Sequence, residues 1–135
     1  MTTRPPQSTT VADGDLIGAD ATSRIVLSPG GQAANVAAWI AALGGRARFI
    51  GKRGNDDAGI LAASRLRELG VELVGPVEPA GNGLIVSLVD PSGERSMCSD
   101  RGVATELRPE EIDEAWLAGC GHLHVSGYAL LREPV

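Results

Sequence analysis

The sequence predicts an α/β fold in which parallel strands alternate with helices and one antiparallel hairpin is inserted. Three observations lead to this prediction. Short β-prone segments alternate with helical segments between Ile25 and Val74, which favours parallel strands joined by right-handed crossovers. Glycines follow the helical segments, at Gly44 and at Gly70. The turn sequence Asp90-Pro91-Ser92-Gly93 separates two later β-prone segments and predicts the hairpin.

The first predicted helix follows a short strand. Residues 25–28 predict the strand, which runs into Gly30 and Gly31. The Ala-rich residues 33–43 then predict a helix that is apolar on every side and ends at Gly44-Gly45. Helices without a polar face usually lie between a sheet and a further layer, and we expect the same of this segment.

A second strand, helix and strand follow. Residues 46–51 alternate in polarity and predict a strand. Basic residues lie along this strand and its exit, and we interpret them as a solvated strand end: Arg46, Arg48, Lys52 and Arg53. Asn55-Asp56-Asp57 predicts a helix N-terminus, because a capping carboxylate and early acidic residues favour that position. The apolar stripe of this helix is Ala58, Leu61, Ala62, Leu66 and Leu69, and residues 71–74 predict the next strand.

The second half of the chain is less regular. Residues 84–89 and 94–99 predict the two hairpin strands. Pro109-Glu110-Glu111 predicts the start of a third helix that ends near Leu117, and residues 122–126 predict a buried core strand. Residues 1–10, rich in Thr, Pro, Gln and Ser, predict disorder.

Length and composition indicate one globular domain. The chain has 135 residues, of which 43% are hydrophobic and 21% charged. A net charge of -5 argues against a nucleic-acid partner, because phosphate binding needs a surplus of cations. The sequence has neither an N-terminal apolar leader nor a run of membrane length, and two cysteines form no disulfide framework. We therefore expect a cytoplasmic protein without a membrane partner.

The segment Gly30 to Asn35 carries the strongest indication of a binding site. Two glycines let the backbone approach a ligand closely, the first-turn N–H groups face it, and Asn35 offers both a donor and an acceptor. Neither the phosphate-loop spacing nor Gly-x-Gly-x-x-Gly fits the glycines, and Lys52 is followed by Arg53. Since no cation stands beside the glycines, hydroxyl groups fit this segment better than phosphate.

Three other groups of residues favour structural roles. His122 and His124 could share one face of a strand, but no third metal ligand has suitable spacing, so we expect no metal site. Cys98 and Cys120 lack the neighbours of a reactive thiol. A solvated helix face explains the acidic residues Glu110, Glu111, Asp113 and Glu114.

The spacing around Asn35 resembles the N-terminal signature of the ribokinase-like (PfkB) carbohydrate kinases, and the likeness extends from about Ile25 to the end of the chain. The signature positions are Gly30, Gly31, Ala33, Asn35, Ala37, Gly44 and Gly54. Further similar segments are residues 51–59, Gly83-Leu84, Asp90, Gly93-Glu94-Arg95, Asp100-Arg101-Gly102 and residues 122–128.

The resemblance implies a three-layer, Rossmann-like parallel sheet with a small antiparallel β lid formed by residues 24–29 and 84–99. It implies ATP-dependent transfer of the γ-phosphoryl group to a sugar hydroxyl, with Mg²⁺. Because hairpin strands present unpaired edges, we also expect a homodimer through the lid strands. A catalytically inactive sugar- or nucleoside-binding or interaction module, a nucleoside kinase, or an α/β nucleotide binder of another family are the alternatives. The implied substrate-binding residues are Gly30, Gly31, Gln32, Asn35, Arg95 and Tyr128.

The chain departs from the family pattern in three places. Asp13-Gly14-Asp15 and Asp20 lie in a loop-like segment where the family has a first strand and a substrate-binding aspartate. Ala104 stands where the family commonly has Asn. The Gly-Ala-Gly-Asp motif with the catalytic aspartate, and the nucleotide contacts, do not occur before Val135. We therefore expect residues 1–135 to form one incomplete domain, truncated at both ends, that binds the acceptor but contains no catalytic residue.

Overall fold

The structure is a computed structural model that describes residues 24–131. The described chain divides into two compact units, one comprising residues 28–84 and 99–131 and a smaller one comprising residues 24–27 and 85–98. In chain order the helices and strands are α1 (Gln32–Ala42), β1 (Arg48–Ile50), β2 (Arg53–Gly54), α2 (Asp57–Glu68), β3 (Glu72–Val74), β4 (Val77–Glu78), β5 (Leu84–Val89) and β6 (Arg95–Asp100). Short 3₁₀ helices follow at Gly102–Thr105, Pro109–Glu111, Glu114–Leu117 and Gly127–Leu131.

Two parallel strand pairs organise the larger unit. β1 pairs with β3, with Phe49 opposite Leu73, and β2 pairs with β4, with Arg53 opposite Val77. Helix α2 provides the connection from the first strand of each pair to the second, as parallel strands require. This arrangement confirms the predicted α/β class.

The core of the larger unit is small and lies between α1, α2 and β3. Ala34, Ala37, Leu66 and Val71 are its buried members, and Phe49 is among the partly buried residues that pack against them. Only one side of α1 is covered: Trp39 is 69% exposed and Leu43 is 82% exposed. In the described chain the core reaches only the alanine face of α1.

Helix α2 is determined by local signals at both of its ends. Asp56 caps the N-terminus, where its Oδ1 accepts a hydrogen bond from Gly59 N at 2.9 Å. Gly70 follows the last turn with a φ of +84°, which favours glycine. The buried side of the helix contains Ala63 and Leu66, whereas Leu69 of the predicted stripe is 47% exposed.

The smaller unit contains most of the β5–β6 hairpin, which the sequence predicted. Asp90 organises its turn: Oδ1 accepts hydrogen bonds from Ser92 N, Ser92 Oγ and Glu94 N at 2.8, 2.6 and 3.0 Å. The hydrogen bond from the Ser92 hydroxyl is the main reason why the pKa of Asp90 lies below its ordinary value. Every residue of both strands is exposed.

Residues 25–28 do not form the strand predicted there. Ile25 is 82% exposed and Leu27 is 77% exposed, and no neighbouring strand in the described chain pairs with them. Residues 122–126 likewise form no strand, and Leu123 is 66% exposed. An apolar segment becomes a strand only when another strand satisfies its backbone groups, so both predictions were wrong for the same reason.

The predicted third helix is replaced by two 3₁₀ turns, Pro109–Glu111 and Glu114–Leu117. Ile112 and Asp113 are extended, with ψ of 118° and 120°, and this interrupts the helix. Asp113 then starts the second turn, where its Oδ1 accepts a hydrogen bond from Ala115 N at 2.9 Å.

No helix in residues 24–131 combines the length and hydropathy needed to cross a bilayer. The predicted disorder of residues 1–10, and Asp13, Asp15 and Asp20, lie outside the described residues.

Candidate functional site

The N-terminus of α1 begins at a glycine that no other residue replaces easily. Gly31 has a φ of +101° and caps the helix without a side-chain hydrogen bond. Its carbonyl accepts the first helical hydrogen bond, from Asn35 N at 2.9 Å. Gly30 has open space around its Cα, with nothing within 4 Å of the position of a Cβ. The first helical turn therefore presents backbone N–H groups without a side-chain acceptor from the cap.

Gln32, at the start of α1, contacts a residue 94 positions further along the chain. Ser126 Oγ donates to Gln32 Oε1 at 2.5 Å. Because Oε1 is used in this way, the Nε2 amide group of Gln32 is oriented to donate elsewhere. Sequence reasoning missed Ser126, although it lies in the segment 122–128 that supports the family resemblance. The feature of the sequence that could have indicated Ser126 is its hydroxyl group, which lies directly before Gly127.

The predicted substrate-binding residues are brought together only in part. Gly30, Gly31, Gln32 and Asn35 lie at the start of α1, and Asn35 is exposed. Tyr128 is 69% exposed in the 3₁₀ helix Gly127–Leu131, two residues after Ser126. Arg95 is the first residue of β6 and belongs to the smaller unit. The larger unit thus groups exposed polar side chains with glycine backbone around the start of α1.

Lys52, by contrast, is the buried charge of the larger unit. Its side chain is 8% exposed, and Nζ lies 2.7 Å from Glu111 Oε1 and 3.3 Å from Glu78 Oε1. The hydrogen bond to Glu111 is the main reason why the pKa of Lys52 is raised. The interpretation of this basic segment as a solvated strand end is therefore wrong for Lys52.

Glu111 has two partners and belongs to no solvated helix face. Its Oε1 binds Lys52, and its Oε2 accepts a hydrogen bond from Arg108 N at 2.8 Å. The hydrogen bond from Lys52 is the largest of the contacts that lower the pKa of Glu111. The carboxylate thus caps the 3₁₀ helix Pro109–Glu111 and holds it against Lys52.

Around this ion pair lies an open cleft of about 440 Å³. Lys52 is shared between Glu78 and Glu111, although the lining as a whole is acidic, with four glutamates and two cations. This pairing assigns the cleft a structural role. The residues that line it are Lys52, Glu78, Ala80, Val103, Glu106, Arg108, Glu110 and Glu111.

The remaining candidates carry little chemistry in the described part of the chain. Among residues 24–131 there is no cluster of three or more His, Cys, Asp or Glu side chains that could hold a metal ion. Cys98 and Cys120 are both free and exposed. Arg48 forms an ion pair with Glu72, with Nε to Oε2 at 2.8 Å, and its pKa is raised mainly by that hydrogen bond.

Comparison with known proteins identifies the family. The sequence profile of the pfkB family carbohydrate kinases matches residues 13–135. An ATP-dependent ribose-1-phosphate kinase from Halopiger xanaduensis is 42% identical over 101 residues, which are 73% of this chain and 34% of that protein. A probable fructokinase-3 from Arabidopsis thaliana is 36% identical over 111 residues, 79% of this chain and 32% of that protein.

The fold of solved structures agrees with this assignment. The crystal structure of adenosine kinase from Sinorhizobium meliloti superposes with a TM-score of 0.62 at 34% identity, over 67% of this chain and 28% of that one. The chain spans about a third of the length of the curated relatives it matches. Its fold is α/β and ribokinase-like, with parallel strand pairs and a small antiparallel hairpin. Together with the profile match over residues 13–135, these similarities show that the chain belongs to the pfkB family of carbohydrate kinases.

Proposed function

We propose that this chain forms the acceptor-binding part of an ATP-dependent kinase whose acceptor is the hydroxyl of a sugar. The observation that carries the proposal is the start of α1, where Gly31 exposes first-turn N–H groups beside Gln32 and Asn35. A sugar needs such convergent donors and acceptors, because each hydroxyl that is buried without a partner is unfavourable. Membership of the pfkB family supports the same reaction class.

Gln32 and Asn35 supply complementary groups to such an acceptor. The Asn35 amide can both donate to and accept from a hydroxyl. Gln32, whose Oε1 binds Ser126, is left to donate through Nε2. We propose Gly30, Gly31, Gln32 and Asn35 as the acceptor contacts, with Tyr128 and Arg95 as further contacts.

The proposed function of this chain is acceptor binding without turnover. Phosphoryl transfer relies on groups that position the nucleotide and stabilise charge on the γ-phosphate, usually with a metal ion. ATP and Mg²⁺ follow from the family, but residues 24–131 contain no cluster of acidic, His or Cys side chains that fits a metal ion. No step of the transfer is therefore assigned to these residues.

A nucleoside is the second candidate acceptor. The structural neighbour from Sinorhizobium meliloti is an adenosine kinase, and it is as similar in sequence, at 34%, as several fructokinases. The ribose-1-phosphate kinase shows a higher identity of 42%. With a ribokinase among the structural neighbours, these names suggest four acceptors for a binding test: ribose, ribose 1-phosphate, fructose and adenosine.

Isothermal titration of the 135-residue chain with these four acceptors, with and without ATP, tests the proposal. We expect one acceptor to bind without ATP, and Asn35→Ala to weaken its affinity about tenfold or more, as the loss of a buried hydrogen bond does. Asn55→Ala is the matched control, since Asn55 is exposed and its backbone N–H bonds Glu78. Acceptor-dependent ATP hydrolysis by this chain would overturn binding without turnover, and no binding of any acceptor would overturn the proposal.

The exposed hairpin supports a further part of the proposal, pairing with a second copy. All side chains of β5 and β6 are exposed, including Ile85 at 60% and Val86 at 57%. Strand edges and apolar side chains of this kind favour association. Analytical ultracentrifugation of the chain and of its Val86→Lys variant measures this pairing; a chain that is monomeric at all concentrations would contradict it.

A cytoplasmic location stays a prediction, supported by the two free cysteines.

A further inference from the structure

Asp56 makes more contacts than a helix cap needs. Its Oδ1 accepts the capping hydrogen bond from Gly59 N at 2.9 Å, and its Oδ2 accepts a second one from Asn82 N at 3.1 Å. Asn82 in turn uses its own Oδ1 to accept a hydrogen bond from Gly54 N at 3.1 Å. These bonds link the end of β2 and the start of α2 to a residue that lies 26 positions beyond Asp56.

The backbone around Asp56 and Asn82 is packed without intervening side chains. A Cβ on Gly54 would overlap Ala80 O and Asn82 N, and a Cβ on Gly102 would overlap Gly81 O. Gly102 also has a φ of +47°, which favours glycine. Val103 N donates to Gly81 O at 3.1 Å and so joins the two neighbouring segments directly.

The two segments joined here are the two connections of the hairpin. Residues 81–83 lead into β5, and residues 101–103 follow β6. We call residues 81–83 and 101–103 the hairpin base. Asp56 fastens this base to the start of α2, through Asn82 on one side and the Val103–Gly81 hydrogen bond on the other.

We propose that Asp56 and Asn82 are positioning residues that fix the hairpin base to the start of α2. The anchoring follows from the hydrogen bonds and the glycine packing alone. Its consequence for acceptor binding rests on the proposed function and on the lid role that the family resemblance implies for residues 84–99. The carboxylate of Asp56 suits this role, because each of its two oxygens accepts one of the two N–H groups.

The substitution D56N separates anchoring from capping. Asparagine caps helices as well as aspartate does, so its Oδ1 still accepts from Gly59 N. Its second group is an NH₂, which cannot accept from Asn82 N. D57N is the matched control, because Asp57 is the adjacent exposed residue and the change removes the same charge.

Amide hydrogen exchange, measured residue by residue by NMR on the 135-residue chain, is the test. For D56N we expect the amides of Asn82, Gly54 and Val103 to exchange about tenfold faster or more, since charge-assisted hydrogen bonds are the stronger ones. The amides of Gly59 and of α2 should be unchanged, and D57N should leave all of them unchanged. N82A should accelerate the hydrogen exchange of the Gly54 amide in the same way.

Two exchange outcomes would overturn the proposal. One is unchanged exchange at the amides of Asn82 and Val103 in D56N. The other is equal acceleration throughout α2, which would indicate that Asp56 acts only as a helix cap.

A titration of the acceptor then tests the functional consequence: D56N should weaken binding about threefold to tenfold, as the loss of one hydrogen bond does, and D57N should not. If no acceptor binds the unsubstituted chain, the proposed function fails while the exchange result still decides the anchoring.

Discussion

Lys52 Nζ and Glu111 Oε1 lie 2.7 Å apart, although the two residues are 59 positions apart in the chain. The pair holds the 3₁₀ helix Pro109–Glu111 against the segment between β1 and β2. Glu78 Oε1 is a second partner at 3.3 Å, and the carbonyl of Glu106 is a third at 3.4 Å. The Lys52 side chain is 8% exposed, so its charge depends on these partners.

Replacing Lys52 should destabilise the chain more than replacing an exposed cation does. In K52M the carboxylates of Glu78 and Glu111 lose their shared partner and face each other without compensation. R65M is the control, because Arg65 and Glu68 form an ion pair whose side chains are 57% and 59% exposed. We expect a clearly lower melting temperature by circular dichroism for K52M and little change for R65M. Equal melting temperatures would contradict the assigned role.

The stability of the chain should depend on pH through the same pair. The pKa of Glu111 is lowered in the folded chain, so its contribution is complete above its ordinary value of about 4.3 and is lost as pH falls through the lower folded pKa. The pKa of Lys52 is raised, so its contribution is complete below about 10.4 and is lost above the raised value. Urea unfolding between about pH 3 and pH 11 measures both limbs.

The variant E111Q checks the acid limb of that pH profile. It should reduce the fall in stability at acid pH, because glutamine does not titrate. A profile for E111Q that is parallel to that of the unsubstituted chain would show that other carboxylates determine the acid limb.

Ser126→Ala should weaken acceptor binding without unfolding the chain. The substitution removes the hydroxyl that orients the Gln32 amide, and we expect a loss of about twofold to tenfold in affinity, the range of one neutral hydrogen bond. Ser64→Ala is the control, since Ser64 Oγ donates to Leu61 O within α2. Titration with the acceptor and a thermal melt separate binding from stability. A wild-type affinity for Ser126→Ala would remove Ser126 from the site.

Gly31→Ala and Gly30→Ala should differ although the residues are neighbours. At Gly31 the φ of +101° strains any other residue, and we expect a loss of about 1–3 kcal/mol in the free energy of unfolding. At Gly30 nothing lies within 4 Å of the added Cβ, so stability should hardly change. Denaturant unfolding measures both variants. A Gly30→Ala variant as unstable as Gly31→Ala would show that the glycine pair acts as one unit.

Leu66→Ala tests whether the small core carries the stability of the larger unit. Leu66 is 5% exposed and packs in the core with Ala34, Ala37 and Val71, so we expect a loss of about 2–5 kcal/mol. Ile60→Ala, on the same helix and 60% exposed, should cost much less. If the two variants unfold at the same denaturant concentration, this core does not dominate stability.

Much of the fold was predictable because its signals are local. Asp56 caps α2 through a contact three residues away, and Asp90 organises its turn through contacts two and four residues away. The positive φ of Gly31 falls where the glycine pair was proposed to meet a ligand. Each of these features depends on residue types within one turn of chain, so a pattern in the sequence contains the whole interaction.

The two strand errors share one physical cause, which is dependence on a distant partner strand. Residues 25–28 and 122–126 have the composition of strands but no neighbouring strand among the described residues. Residues 109–117 have the composition of a helix, but Ile112 and Asp113 are extended and break it into two turns.

By itself the sequence determined the α/β class, the order of most helices and strands, the hairpin, and a glycine-led helix start that resembles the pfkB kinases. Only the tertiary structure decided that Lys52 is buried against Glu111, that Ser126 orients Gln32, and that Asp56 holds Asn82. Secondary structure and turns follow from neighbours along the chain. Ion pairs and site contacts follow from side chains that the fold brings together across 26 to 94 residues, and no local pattern specifies them.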